Sequence, residues 1–388
     1  MELPYLRRLN RMYLKKSPNY KTMETTQKKR ILAIDITRGA SVIFMMMIHT
    51  MLIYGTIPTQ THTILGEITL WLGRGTTLFL VSMGISFVLS RRQSFQKVCK
   101  RGFYILGIGY GMNFLKFLVP EFIFGGLPEA FVSAYGLQSG TLETGMFFLL
   151  LGDILQLAGV TLFIMGIINH FSKSKYVPLI VALAIIAISK EVSGYRIGIT
   201  GLDYICDLFF SNQFNVYFPV FPWSAFILLG MFLGRWYKEL EENQTVFFKK
   251  MLGLGFLFIA IGGVLNFTNS EYHFGDYYHL GPGGSILLLG ANMVFYWLVN
   301  FIVQLFKEDN PVFKALVFCS KNVTSLYVIQ WVLINWGMYV IGFWQHDQIT
   351  VLALFPVVIG VSISIQIVYN SFRSQWREKW AAAPLSIN

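Results

Sequence analysis

Charge is what this chain has least of. Only 13% of its 388 residues are Asp, Glu, Lys or Arg, against 54% hydrophobic residues, where water-soluble folds carry about 25% charge. That shortage excludes an ordinary water-soluble globule. Cysteine is scarcer still. Cys99, Cys206 and Cys319 are odd in number, far apart and without metal-ligand spacing, which excludes a disulfide framework and a structural zinc. Also missing is a short leading apolar stretch with a small-residue cleavage site. The first apolar run begins at Ile31 and already carries Asp35 and Arg38, so no cleaved secretory signal is expected.

What the chain has instead is apolar length. Its mean hydropathy is +0.55, and runs near membrane-spanning length recur along most of it. They predict an all-α, polytopic integral membrane protein of about ten transmembrane helices, at 31–54, 66–90, 102–119, 146–168, 177–190, 217–234, 251–267, 282–306, 322–342 and 350–372. The connections alternate in charge. Residues 1–30, 91–101, 169–176, 235–250, 307–321 and 373–388 hold 26 of the 31 Lys and Arg residues, while 55–65, 120–145, 191–216, 268–281 and 343–349 hold only Arg196. Positively charged connections stay in the cytoplasm, so both termini are expected there. The same alternation accounts for the net charge of +11, and no nucleic-acid partner is expected. The chain then reads as a basic cytoplasmic flank (1–30) suited to anionic lipid headgroups, a membrane domain (31–372) and a cytoplasmic tail (373–388).

Arg38 and His49 lie eleven residues apart in the first predicted span. At ~100° per residue they fall within about 20° of one helix face, roughly 16 Å apart along the axis. Ionisable groups inside a membrane are costly and mark functional paths. The remaining polar residues sort by side. His62, Glu67, Glu143, Asp276 and His279 lie outside, with Asp153 and Gln156 further into the fourth helix; Arg91, Arg92, Lys97, Lys100, Arg101, Lys321 and Asn322 lie at the cytoplasmic end. One side has acid and base groups, the other has donors for phosphates.

Each has a plainer reading. Asp35 and Arg38 suit an i,i+3 ion pair, His49 suits a satisfied core histidine, and the basic loops follow from topology alone. Glu143, Asp276 and His279 suit solvated loop positions. Asp153 inside an apolar helix needs a partner. Gly281, Gly283 and Gly284 suit a helix start rather than a nucleotide loop.

Five segments, in order, resemble one family. Arg30-Ile-Leu-Ala-Ile-Asp35-Ile-Thr-Arg38-Gly39 with the apolar run to His49 resembles the opening helix of transmembrane acyltransferases related to heparan-α-glucosaminide N-acetyltransferase. Leu65 to Gly84, with Phe79-Leu-Val-Ser-Met-Gly84, and Gly152-Asp-Ile-Leu-Gln-Leu-Ala-Gly159 resemble its second and fourth helices. Phe218-Pro-Val-Phe-Pro-Trp223 with Leu228-Leu-Gly230, and Ser320-Lys-Asn322-Val-Thr-Ser325-Leu-Tyr327, resemble its proline-tryptophan and asparagine-serine-leucine-tyrosine motifs. The Arg and His spacing is also similar to that of membrane acyltransferases acting on bacterial surface glycans.

The resemblance implies an acetyl-CoA-dependent acyltransferase that moves an acetyl group from the cytoplasm to a hydroxyl or amine of a sugar or glycan outside. Counted back from Gly84, His62 falls at the family's loop histidine, and His49 at the membrane histidine of the bacterial glycan enzymes. Either serves as base, oriented by Asp153 or Glu67, and proton abstraction and acyl-histidine formation both stay open. Arg38, Asp35, Arg74, Lys321 and Asn322 are assigned to acetyl-CoA; Arg74, Asn113 or amides near Pro222 are assigned to the oxyanion. Tyr135, Trp223, Tyr272, Tyr277 and Tyr278 suit sugar faces, and equally an interfacial aromatic belt. Where the late motif often continues to a histidine, this chain has Gln330.

No metal cofactor is expected, a homodimer is compatible with the pattern, and the plasma membrane is the expected location. With no large extra domain ahead of the membrane region, a lysosomal heparan-degrading role is not expected. The competing class is a transporter or flippase. Its polar residues would line the midplane and inverted repeats would show, whereas here ionisable groups lie towards the two ends.

Overall fold

The computed structural model describes residues 31–382 apart from 92, 200 and 308. The basic flank 1–30 and Arg92 lie outside the described residues. Within them the architecture is all-helical, with two isolated backbone bridges, Gly55 to His346 and Gly152 to Val216, in place of any strand. Eight helical stretches are long and apolar enough to cross a membrane. These are α1 (Leu32–Tyr54), the stretch Ile64–Leu89 made of α3 (Ile64–Gly73) and α4 (Thr76–Leu89), and Phe95–Ile123, which begins as α5 (Phe95–Asn113). They continue with α6 (Ile154–Phe171), α9 (Gln244–Thr268), α10 (Pro282–Leu305), α12 (Val323–Ile341) and Gln348–Trp376 of α13 (Gln348–Ala382). The other elements used below are α2 (Ile57–His62), α7 (Tyr176–Ile188), α8 (Val220–Glu239) and α11 (Pro311–Lys321).

Two of the ten expected spans differ from these eight for separate reasons. The fifth is α7, 13 residues long, shorter than the ~20 residues a bilayer needs. The sixth is α8, whose 20 residues close with Arg235 and Lys238 and whose middle is sealed inside the protein. Every residue from Trp223 to Leu229 is buried, so this helix meets other helices all round rather than lipid.

Local sequence explains where the spans break. The fourth expected helix, 146–168, is two helices: Leu142–Leu150 ends, the backbone extends at Leu151, and α6 restarts after Asp153. Asp153 is therefore not inside a helix. It is the N-cap: its Oδ1 accepts the Ile154 amide at 2.7 Å, and its side chain and that of Gln156, whose Oε1 accepts the Asp153 amide at 3.2 Å, cap each other's backbone as a capping box. The second span breaks at Gly73-Arg74-Gly75. The third contains one turn of π-helix, Phe114–Leu118, before its last turn Val119–Ile123.

Among the described residues, those from Ala33 onward form one compact unit. Small residues let its backbones approach, as membrane helices require. A Cβ on Gly84 of α4 would sit 1.9 Å from the Ile227 carbonyl oxygen of α8, and one on Gly230 would sit 2.1 Å from that of Val81. A Cβ on Gly39 of α1 would meet the Leu316 carbonyl oxygen of α11 at 1.9 Å. The helix holding Arg38 and His49 is thus seated against α11 at backbone distance.

Candidate active site

His49 is held by one face of α12. Tyr327, Gln330 and Trp331 are spaced i, i+3 and i+4, so they project together. Trp331 stacks on the imidazole with ring centroids 3.8 Å apart and planes 24° from parallel. Tyr327 meets it edge-on at 6.1 Å. Gln330 bonds Nδ1 through its side-chain amide, with Oε1 at 3.2 Å and Nε2 at 2.9 Å. The amide orientation sets the tautomer. With the carbonyl towards the ring, Nδ1–H donates and Nε2 keeps the lone pair a base needs; with the amino group towards it, Nε2 carries the proton instead.

Asp153 completes the group from α6. It is 4% exposed, and its Oδ2 accepts a hydrogen bond from Tyr327 Oη at 2.7 Å. The carboxylate does not bond the imidazole directly; Tyr327 stands between them. Two neighbours fix the segment before the cap. Gly152 donates to the Asn215 carbonyl at 2.8 Å and accepts from the Tyr217 amide at 2.9 Å, and Asn113 donates to the carbonyls of Leu149 and Leu151 at 3.0 and 2.8 Å. Asn113, a sequence candidate for the oxyanion, thus spends its amide protons on the broken helix end.

Lys116 was not foreseen. In Phe114-Leu115-Lys116-Phe117-Leu118 it reads as a lone charge that snorkels from a helix end. It is instead 2% exposed, because the π-helical turn carries it to the interior face. Its Nζ lies 4.0 Å from the Trp331 ring centroid and 4.4 Å from that of Phe117. The only advance signal was its distance from the other basic residues, which cluster in connections.

His49, Asp153, Lys116, Trp331 and Arg74 line one cavity of about 860 Å³. Its remaining walls are largely aromatic: Phe117, Phe131 and Phe147, with Tyr135, Tyr217, Tyr277 and Tyr278 from the connecting segments. The Tyr135 and Tyr217 hydroxyls bond each other at 2.6 Å. Burial pushes the phenols of Tyr135, Tyr217, Tyr277 and Tyr278 above their ordinary range, so all four stay neutral at physiological pH. Neutral hydroxyls on ring faces suit a polar ligand with an apolar side. Trp223 is fully buried, its indole donating to the Tyr278 carbonyl at 2.7 Å, and Tyr272 is exposed; neither lines the cavity.

The other expected site residues lie elsewhere. His62 is exposed at the end of α2, its Nδ1 2.9 Å from Thr61 Oγ1, and Glu67 is exposed in the first turn of α3. Neither lines the cavity, and neither touches His49 or Asp153. Arg74 does line it, its guanidinium 3.8 Å from the Trp71 ring centroid. Arg38 lies roughly 15 Å further along α1 than the cavity's nearest residue on that helix, Ile48. It pairs with Asp35 Oδ1 at 2.7 Å, and donates to Ser320 Oγ at 2.8 Å and Ser86 Oγ at 2.6 Å. That ties α1 to α4 and α11. Lys321 is exposed beside it, while the Asn322 side-chain oxygen accepts from Gln366 at 3.3 Å and Asn370 at 3.2 Å. Asp276 and His279 are bonded to each other rather than freely solvated. Among the described residues no cluster of His, Cys, Asp or Glu could hold a metal ion.

Comparison with known proteins covers four of the five motifs; the fifth, at residues 320–327, lies beyond the matched segment. The family described as heparan-α-glucosaminide N-acetyltransferase, catalytic, matches residues 30–263, from the helix of Arg38 and His49 through Lys116, Asp153 and α8. No curated protein matches the chain. The matched segment is more than half of the 388 residues, and on that ground the chain belongs to the heparan-α-glucosaminide N-acetyltransferase catalytic family.

Proposed function

We propose that the protein transfers an acetyl group from acetyl-CoA to a hydroxyl or amine of a sugar, with His49 as the base. The observation that carries this reading is the grouping of His49, Asp153 and Lys116 in one aromatic cavity among membrane-crossing helices. A lone pair on His49, fixed by Gln330, takes the acceptor proton. Asp153, held through Tyr327, favours the imidazolium that results. His62, exposed on α2, takes a role at the rim rather than at the bond being made.

The charge alternation of the connections supports cytoplasmic termini and a donor arriving from the cytoplasm, with Lys321 and the basic loops nearest its phosphates. Arg38 and Asp35 act by joining helices at that end, and Asn322 by joining α12 to α13. Arg74 and the tyrosines suit an acceptor glycan entering from outside, in a plasma membrane.

The test uses purified protein in liposomes, with labelled acetyl-CoA on one side and p-nitrophenyl β-glucosaminide or β-glucoside on the other. Labelled acetyl appearing on a glycoside in the opposite compartment, and lost with His49→Gln, is the expected result. Unmodified glycoside crossing the bilayer would identify a transporter instead and overturn the proposal.

A further inference from the structure

Lys116 is a buried cation that the reaction above leaves without a task. Three independent features converge on it. A π-helical turn, the kind of irregularity that often re-aims a side chain at a functional site, turns it inward at Phe114–Leu118. It lines the same cavity as His49. Its ammonium also lies against Trp331, the indole on which His49 is stacked, so one rigid aromatic plate positions both the base and the cation. Among the described residues no ion pair reaches Lys116. Ring faces attract an ammonium but do not neutralise it. Asp153, which lines the same cavity, acts on Lys116 as an opposite charge only from beyond ion-pair distance, and this leaves the ammonium placed to donate to an anion formed in the reaction itself.

We infer that Lys116 is the oxyanion-holding catalytic residue, its ammonium donating to the thioester carbonyl oxygen as negative charge develops there. This rests on the acyl-transfer reading. As His49 takes the proton from the acceptor hydroxyl or amine, the acceptor atom bonds to the thioester carbon and the carbonyl π electrons move onto oxygen. Lys116 stabilises that tetrahedral anion. Collapse restores the carbonyl, the carbon–sulfur bond breaks, and the departing thiolate takes the proton held by His49. A preorganised cation in a low-dielectric cavity aids the tetrahedral state far more than the neutral thioester, so its effect falls on kcat rather than on binding.

The test measures kcat and both KM values for acetyl-CoA and p-nitrophenyl β-glucosaminide with the wild type, Lys116→Met and Lys116→Arg in liposomes. The expected result is a fall in kcat of about 100-fold or more for Lys116→Met, KM values little changed, and partial recovery in Lys116→Arg. A folded Lys116→Met with wild-type kcat, or with a loss confined to acceptor KM, overturns the assignment while leaving the acyl-transfer reading intact. A wild type that acetylates neither glycoside overturns both. Should Lys116→Met not fold, Lys116→Cys treated with aminoethyl methanethiosulfonate restores an ammonium, and treated with methyl methanethiosulfonate does not. Recovery by the first reagent alone supports the inference, and equal behaviour with both reagents ends it. The wild type, which carries Cys99, Cys206 and Cys319, is treated in parallel.

Discussion

His49 lies flat against Trp331, with ring centroids 3.8 Å apart, and the two come from helices separated by most of the chain. The histidine's place is therefore a tertiary fact, set by α12. The first prediction follows from it. His49→Gln lowers acetyl transfer by about 10²–10⁴-fold, the range for loss of a general base, whereas His62→Ala leaves most activity. The liposome assay decides between them, and a larger loss for His62→Ala would move the chemistry to the rim.

Arg38 supports a prediction about stability. Its guanidinium holds Asp35, Ser86 and Ser320 together, so Arg38→Gln and Asp35→Asn destabilise the protein and couple by about 1–3 kcal/mol in a double-mutant cycle. Denaturation in detergent supplies the energies. Steady-state kinetics supply the contrast, since a role confined to helix joining raises KM for donor and acceptor alike. A selective rise in acetyl-CoA KM would return Arg38 to the donor site.

Backbone contact between α4 and α8 predicts sharp intolerance. Gly84→Ala places a methyl 1.9 Å from the Ile227 carbonyl oxygen and costs about 1–3 kcal/mol or more through forced separation of the helices. Gly107→Ala is the control, since nothing lies within 4 Å of a Cβ there, and alanine favours the helix. Thermal unfolding monitored by size-exclusion chromatography separates the two.

Asp276 lies outside the spans and gives a pH dependence. The hydrogen bond from His279 holds its carboxyl below the ordinary aspartate value of 3.8. A carboxyl whose pKa is lowered by folding adds stability that is present above its unfolded value and is lost as pH falls through its folded value. Asp276→Asn is therefore less stable than wild type near neutral pH, and the gap closes as the pH falls through the carboxyl's lowered folded value. Because the Asp276 side chain is 44% exposed, the effect is small. Melting temperatures across that range check both the sign and the closing of the gap.

Much of the fold was legible because membrane spans announce themselves as apolar length. The breaks within spans were less so, since they depend on capping. Nothing near Asp153 says that the helix stops at Leu150, yet an aspartate followed three residues later by Gln156 is the signature of a helix start. The Arg38 and His49 alignment was legible from periodicity, and Asp153 from its cost in an apolar run. Lys116 was not, because a π-helical turn shifts the helical phase by one residue, about 100°, and so changes which face a side chain takes. Nor could Tyr327, Gln330 and Trp331 be joined to His49 from sequence, since about 280 residues separate them.

Gly39 adjoins Arg38, and the contact of its α-carbon with the Leu316 carbonyl acts as a detent. With no side chain between the two backbones, a turn of α1 that brought any neighbouring Cβ to this point would push it against the α11 backbone. His49, ten residues further on, inherits that fixity. A machine that carried cargo by swinging this helix would have to unseat the contact at each stroke. A helix seated backbone to backbone at that point suits a fixed wall for the cavity that His49 lines.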